Sequence, residues 1–493
     1  MRLSMENALT ESRMESRGDI HDLSDSVDPH NRPASRFAGK RIHFIGIGGS
    51  GMSGLAGMLL DSGAIVSGSE PKPNAQTLAL ARRGVKISRD QMGELLTREV
   101  DLVVRTAAVK DTNAEFKAAG QYGLRSVKYA EMLGQVMAER FGVAIAGTHG
   151  KSTTTAMTAY ALLRCGADPS FVVGGTVPQL GGGSHSGQGR AFVAEACEFD
   201  RSFHNLRPRV AVITNVEADH LDCYKDIDEI IESFRDFARL VPQEGLILVN
   251  GNDAHATRAV AGLTAPVQTI AIDVPADWSA RVTSIANGCY RGQIHFRGKL
   301  VADLRLAVAG DHNFFDATMA VAASTACGVD PALAASVLAD FTGVDRRMSE
   351  VGRFHGAIIV DDYGHHPTEI RTTLRALREK YSPQRLICVF QPHQHSRTRM
   401  LLDDFATCFV SADLTMIPDI YFVRDSEAER HRITAGDLVE RINRNGQSAQ
   451  YLPDFERIVS TLREELRPGD VLVTMGAGNI WEIGRDLVAE NQN

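Results

Sequence analysis

The chain has 493 residues, 43% hydrophobic and 23% charged, with a formal net charge of −8. This is the composition of an ordinary globular protein; the acidic balance argues against a broad electrostatic footprint for nucleic acid, and no apolar run reaches the roughly 18 residues that a membrane span needs. At about 150 residues per domain, the length fits three domains. Residues 1–37 mix both charges with Ser, Asp and Pro and contain no signal-peptide core, which predicts a disordered tail on a cytoplasmic protein. The seven cysteines show no C-x-x-C spacing, so neither a disulfide framework nor a zinc site is expected from them.

Residues 38–140 read as a small parallel α/β domain. The apolar, β-rich Arg41–Ile45 runs into Gly46-Ile47-Gly48-Gly49-Ser50-Gly51, and a helical stretch follows through Leu55–Leu60. Strand, glycine turn, helix is the setting in which G-x-G-x-x-G binds a pyrophosphate at a helix N-terminus. The motif names the charge and leaves open whether that pyrophosphate belongs to a nicotinamide dinucleotide or to a uridine diphosphate sugar. A second strand, Ala64–Gly68, leads to Ser69-Glu70, where an acid can hold a ribose hydroxyl; further strands are predicted at Val85–Ile87 and Asp101–Val104.

Residues 141–343 open on the strand Phe141–Ala146, which feeds Gly147-Thr148-His149-Gly150-Lys151-Ser152-Thr153. Here glycines let backbone donors surround a phosphate, the ammonium neutralises its oxygens, and a hydroxyl reaches Mg²⁺. A capped helix start explains Ser152 but leaves Lys151 at the end of a helix where a cation is unfavourable. Strands are predicted at Ala191–Ala194, Val210–Thr214 and Leu246–Val249, with a helix near 226–240, whereas 167–189 is glycine-rich and reads as a loop, either flexible or shaped by a ligand. Glu195 and His220 fall at or just beyond neighbouring strand ends. Taken alone, His220 reads as a solvated side chain; the shared placement with Ser152 and Glu195 suits one or two divalent ions.

Residues 344–493 carry strands at Ala357–Val360, Leu386–Phe390 and Val471–Thr474. Asp361-Asp362-Tyr363-Gly364-His365-His366 follows the first, and Gln391 to Arg399 follows the second. Such clusters at successive strand ends can hold a carboxylate through arginine and an amine through Asp or Tyr, an amino-acid pocket in outline. The histidines lack regular metal-ligand spacing.

Together HFIGIGGSGMSGLA, GTHGKSTTT, EACE, TNVEADH, DHNFFDA, DRRMSEVG, DDYGHHPTEI, VFQPHQHSRTR and TMGAGNIWEIG resemble the Mur ligases, most closely the alanine-adding branch, along essentially the whole chain after the tail. The short G-T-x-G-K-[ST] loop is that family's variant of the nucleotide loop. The resemblance implies an α/β fold of three domains: an N-terminal Rossmann-like domain, a central P-loop ATPase-like domain with a parallel or mixed sheet, and a C-terminal Rossmann-like domain. It implies ATP and Mg²⁺ as cofactors, UDP-N-acetylmuramate and L-alanine as substrates, no nucleic-acid or membrane partner, a monomer or homodimer, and a place in peptidoglycan precursor synthesis.

By the same resemblance Gly147, Thr148, His149, Gly150, Lys151, Ser152 and Thr153 bind ATP with Asn313, Asp316, Arg346 and Arg347. Ser152, Glu195 and His220 serve metal. Gly46, Gly48, Gly49, Ser50, Gly51, Ser69 and Glu70 hold the UDP-sugar, and Tyr363, His365, Arg397 and Arg399 hold the amino acid. Lys151, Glu195, His220, His365 and Arg397 are the implied catalytic group. The sequence departs from the family's habits at Asp316 (commonly Asn), Gln394-His395 (commonly Arg-Tyr) and Glu70 (commonly Asp). Other functions leave residues idle. A murein-peptide recycling ligase, or another Mur ligase with a different acceptor, uses the same parts; an NAD-dependent oxidoreductase leaves Lys151 and Glu195 unexplained, and a P-loop switch leaves the third domain without a task.

Overall fold

The computed structural model describes residues 35–106 and 108–490. The tail expected over 1–37 therefore lies outside the described residues except for its end, which is docked: Ser35 Oγ donates to Glu139 (2.8 Å) and Phe37 is buried.

Three sheets carry the molecule. The first consists of β1 (Arg41–Ile45), β2 (Ile65–Ser69), β3 (Lys86–Ser88), β4 (Leu102–Arg105) and β5 (Ser126–Lys128), all parallel, in the order β3-β2-β1-β4-β5. The order reverses beside β1, so the glycine turn after β1 lies where an open parallel sheet gathers its ligands.

The second sheet has ten strands: β6 (Phe141–Ala146), β7 (Ser170–Val177), β8 (Gly182–His185), β9 (Ala191–Glu195), β10 (Val210–Ile213), β11 (Leu246–Asn250), β12 (Val267–Ile272), β13 (Trp278–Ala286), β14 (Cys289–Phe296) and β15 (Lys299–Ala309). Their order is β15-β14-β13-β12-β11-β10-β6-β9-β7-β8, parallel from β13 through β7 and antiparallel at both edges. Every residue of β6 is buried, as its unbroken apolar run requires of a strand covered on both faces. The loop expected over 167–189 is instead the hairpin of β7 and β8. Its first half is apolar and buried, and its glycines serve close approach: a Cβ at Gly174 would stand 2.5 Å from Glu195 Oε2.

The third sheet comprises β16 (Ser349–Phe354), β17 (Ala357–Asp362), β18 (Arg385–Phe390), β19 (Leu414–Ile417), β20 (Ala449–Tyr451) and β21 (Asp470–Met475) in the order β16-β17-β21-β18-β19-β20, parallel except for β16. The carboxyl ends of β9 and of the central strands of this sheet face one cleft, whose opposite wall is the helix Ser50–Asp61 of the first unit. No described helix is long and apolar enough to cross a membrane.

Candidate active site

The glycine turn of the first unit is built as its sequence requires. Gly46 has φ +79°, a conformation that costs glycine little, and the N–H groups of Gly46 and Ile47 each donate to Ser69 O at 3.0 Å. Gly49 precedes the helix that Ser50 and Gly51 open. Glu70 closes over the turn, accepting from Gly48 N–H at 3.1 Å. Gly46, Gly48, Gly49, Gly51 and Glu70 do not line the cleft itself; the next turn of the helix does, through Ser53 and Gly54.

In the second unit the loop after β6 turns at Gly147 (φ +149°) and at Gly150, whose φ of +79° caps the helix Lys151–Arg164. Lys151 folds back over this loop, donating to Gly147 O (2.6 Å), Thr148 O (3.0 Å) and Glu198 Oε1 (3.0 Å). Burial disfavours its charge, but Glu198, Cys197 and Glu195 outweigh that and hold the pKa above its ordinary value. Ser152 Oγ donates to Glu195 Oε2 at 2.8 Å, and the same oxygen accepts from Gly174 N–H at 2.7 Å. His220 sits at φ +52° with Nε2 3.6 Å from Glu198 Oε1. Burial lowers its pKa, so the imidazole is held neutral and able to bind a cation.

The third unit closes over this group. Arg397 meets Asp219 in a buried pair, Nη2 to Oδ1 2.8 Å; the same Nη2 approaches His220 and Nη1 approaches His393. Arg346 pairs with Asp361 (2.8 Å) and Arg347 with Glu369 (3.3 Å), and both guanidiniums lie over the ring of Tyr363 at 5.0 and 5.4 Å. His365 is pushed down to about 3 by burial, which outweighs Glu369 and keeps its ring neutral.

These side chains surround a cleft of about 1120 Å³ lined from all three units, into which Lys151, Ser152, Glu195, His220, Arg346, Arg347, Tyr363, His365 and Arg397 all face. A second cavity, about 170 Å³, lies on the other side of the lysine loop and takes in His149, Gly150, Thr153, Asn313 and Asp316. Ser152 and Arg347 border both. Asn313 and Asp316 reach it together because residues three apart share a face of the helix Asp311–Ala326. Asp316 packs against the loop so closely that a Cβ at Gly150 would stand 2.6 Å from its Oδ1, and burial raises its pKa to about 7.

Arg399 departs from the expected grouping. Two residues along the helix His395–Met400 it points away from Arg397, lines neither cavity, and pairs with Glu429 at 3.1 Å. Beside Gln394 a different guanidinium arrives: Arg424 lines the large cleft and donates to Gln394 Oε1 at 3.3 Å. Sequence reasoning also passed over Glu198, Asp219 and Glu369. All three stand inside the motifs EACE, TNVEADH and DDYGHHPTEI, so their acidity beside an identified residue was the available signal.

Three α/β units share one cleft, with a lysine-bearing glycine loop at its centre. Known proteins carry this further. The Mur ligase family catalytic domain matches residues 41–141, the Mur ligase middle domain 145–324, and the Mur ligase glutamate ligase domain 346–478. The UDP-N-acetylmuramate--L-alanine ligase of Caldanaerobacter subterraneus is 41% identical over 92% of this chain and 98% of that protein, and its namesake from Geobacter sulfurreducens is 39% identical over 92% and 97%. Among solved structures, UDP-N-acetylmuramate-alanine ligase of Thermotoga maritima superimposes with a TM-score of 0.75 at 25% identity, covering 92% of this chain and 99% of that one. A murein peptide ligase of Psychrobacter arcticus gives 0.66 at 28%, with the same coverage. The chain belongs to the Mur ligase family, and it is a ligase.

Proposed function

We propose that the enzyme joins L-alanine to the lactyl carboxylate of UDP-N-acetylmuramate at the expense of ATP, in the cytoplasm and at an early step of peptidoglycan precursor synthesis. The observation that carries this reading is the position of Ser152 on the border between the two cavities. A nucleotide whose base sits by Asn313 and Asp316 and whose phosphates follow residues 147–153 delivers its terminal phosphate into the cleft that all three units line. The substrates are those named for the relatives.

A carboxylate is a poor electrophile until one oxygen becomes a leaving group. The lactyl oxygen therefore attacks the γ-phosphorus, ADP departs, and the alanine nitrogen adds to the acyl carbon of the resulting acyl phosphate; collapse of the tetrahedral adduct expels phosphate and leaves the amide. The protein's share is positioning and charge. Lys151 offsets phosphate charge from the loop, Arg346 and Arg347 approach from the third unit, and Arg397 suits the alanine carboxylate. His365, neutral and beside Tyr363, can accept a hydrogen bond from the incoming amine. Glycines 46, 48, 49 and 51 with Ser50, Ser69 and Glu70 hold the UDP portion.

The donor set fits magnesium: Ser152 with Glu195, and His220 with Glu198, whose Oε2 is buried without a hydrogen-bond partner. Magnesium bound there neutralises phosphate oxygens as charge moves between them.

The test is phosphate release from ATP with UDP-N-acetylmuramate and, in turn, L-alanine, glycine, L-serine and a murein tripeptide. Release that needs the sugar nucleotide and prefers alanine supports the reading; release indifferent to the sugar refutes it, and preference for the tripeptide replaces it with recycling.

A further inference from the structure

We propose that His149, Glu217 and His366 form a binding site for a transition-metal cation of the zinc class, distinct from the oxygen-rich position at Ser152 and Glu195, and that an ion there staples the second unit to the third. The three come from separate segments, which is why no ligand spacing shows in the sequence: His149 from the lysine loop, Glu217 from the turn after β10, His366 from the turn after β17. Folding brings their donor atoms within 4.8 Å of one another. Glu217 Oε2 is 3.4 Å from His149 Nε2 and 3.7 Å from His366 Nδ1. A tetrahedral zinc ion with bonds of about 2.0–2.1 Å separates its ligand atoms by about 3.4 Å, so two edges are nearly set before an ion arrives.

The surroundings prepare these donors. The ring nitrogens of His149 are buried between two carboxylates, Nε2 3.4 Å from Glu217 and Nδ1 3.5 Å from Glu369; burial opposes the ring's charge, but the two acids outweigh it and raise its pKa to about 9, so an ion binding at Nε2 displaces a proton. Its far nitrogen, Nδ1, faces Glu369 Oε1 at 3.5 Å, the carboxylate-behind-histidine arrangement that orients metal-binding imidazoles. His366 Nε2 lies 3.3 Å from Ala218 O, a contact it makes as a donor, which leaves Nδ1 unprotonated; that nitrogen accepts from Thr368 N–H at 3.3 Å, a helix-capping bond that an ion has to displace. Glu217 Oε2 is steadied by Thr368 Oγ1 at 2.7 Å. Two imidazoles and a carboxylate select zinc, cobalt or nickel over magnesium. Because Lys151 is two residues beyond His149 and turnover needs the units to separate and close, an ion held here slows the enzyme.

Zinc chloride titrated into the full-length protein without nucleotide, followed by calorimetry, is expected to show one site that Glu217→Gln and His366→Gln each weaken at least tenfold and that Glu195→Gln leaves unchanged. Zinc X-ray absorption of the wild type is expected to show two imidazoles and no sulfur, a readout that stands if a variant fails to fold. Zinc is also expected to lower kcat in the wild type more than in Glu217→Gln. Wild-type affinity in both site variants, loss of the site in Glu195→Gln, or sulfur or a lack of paired imidazoles in the absorption spectrum overturns the proposal.

Discussion

Arg397 and Asp219, 178 positions apart in the sequence, form a buried ion pair across the boundary between the third and second units, with Arg397 Nη2 2.8 Å and Nε 3.1 Å from Asp219 Oδ1. Burial opposes the carboxylate's charge, but Arg397 outweighs it and holds the Asp219 pKa below its usual range. The same oxygen accepts from His220 N–H at 2.6 Å, so one carboxylate sets both His220 and the arginine of the third unit.

Removing one partner of a buried pair leaves the other charge stranded, at a cost of about 3–5 kcal/mol. Asp219→Ala is therefore expected to open the second unit from the third without unfolding either. Small-angle scattering in the presence of substrates should show a larger radius of gyration than the wild type, with turnover reduced; an unchanged radius and rate would contradict the pair's role.

Lys151→Ala removes the cation that the lysine loop carries and leaves Glu198 buried beside a void. Loss of one preorganised charge-stabilising donor lowers kcat by about 10²–10³-fold. Turnover should fall by at least that much, whereas calorimetric affinity for the UDP-sugar, held by the first unit, should persist. Loss of both in a folded variant would refute this division of labour.

Asp316 is raised by burial from 3.8 to about 7. Between those values the folded state binds more protons than the unfolded one, so this group's contribution to stability falls as pH rises through the window, then levels off. Asp316→Asn should accordingly stabilise the protein at pH 8, by a few kcal/mol in order of magnitude, with the gain vanishing toward pH 4. Denaturant melts of both proteins across that range check it; a gain independent of pH would count against a buried, protonating carboxyl.

Gly174 donates to Glu195 and leaves no room for a Cβ. Gly174→Ala should push the carboxylate off Ser152 and raise the magnesium concentration needed for half-maximal activity by about 10–100-fold, the usual cost of disturbing a metal ligand's support. A magnesium titration of initial rates decides, and an unshifted curve would detach β7 from the site.

Where burial was two-sided, sequence and structure agree: the apolar runs at 41–45 and 141–146 are β1 and β6 with the same ends. The antiparallel meander β13–β15 was missed because its strands sit at a sheet edge with much of their surface exposed, which breaks the apolar run. The same split governs the site. Ser152, Glu195 and His220 could be grouped because strand ends of parallel sheets converge, whereas Arg397 joined Lys151 and these residues only through the family resemblance. Which neighbouring acids turn inward depends on backbone detail that composition does not encode, such as the positive φ of Asp200, Arg201 and His220. Arg399 is grouped with Arg397 by the family resemblance, and the helix separates them by two residues' rotation.

Activation of the lactyl acid by ATP before the amine arrives is tested most directly by oxygen transfer. With UDP-N-acetylmuramate labelled by ¹⁸O at both carboxylate oxygens, one label should appear in the phosphate released and one should remain in the amide. Phosphate free of label, formed alongside amide product, would contradict the claim.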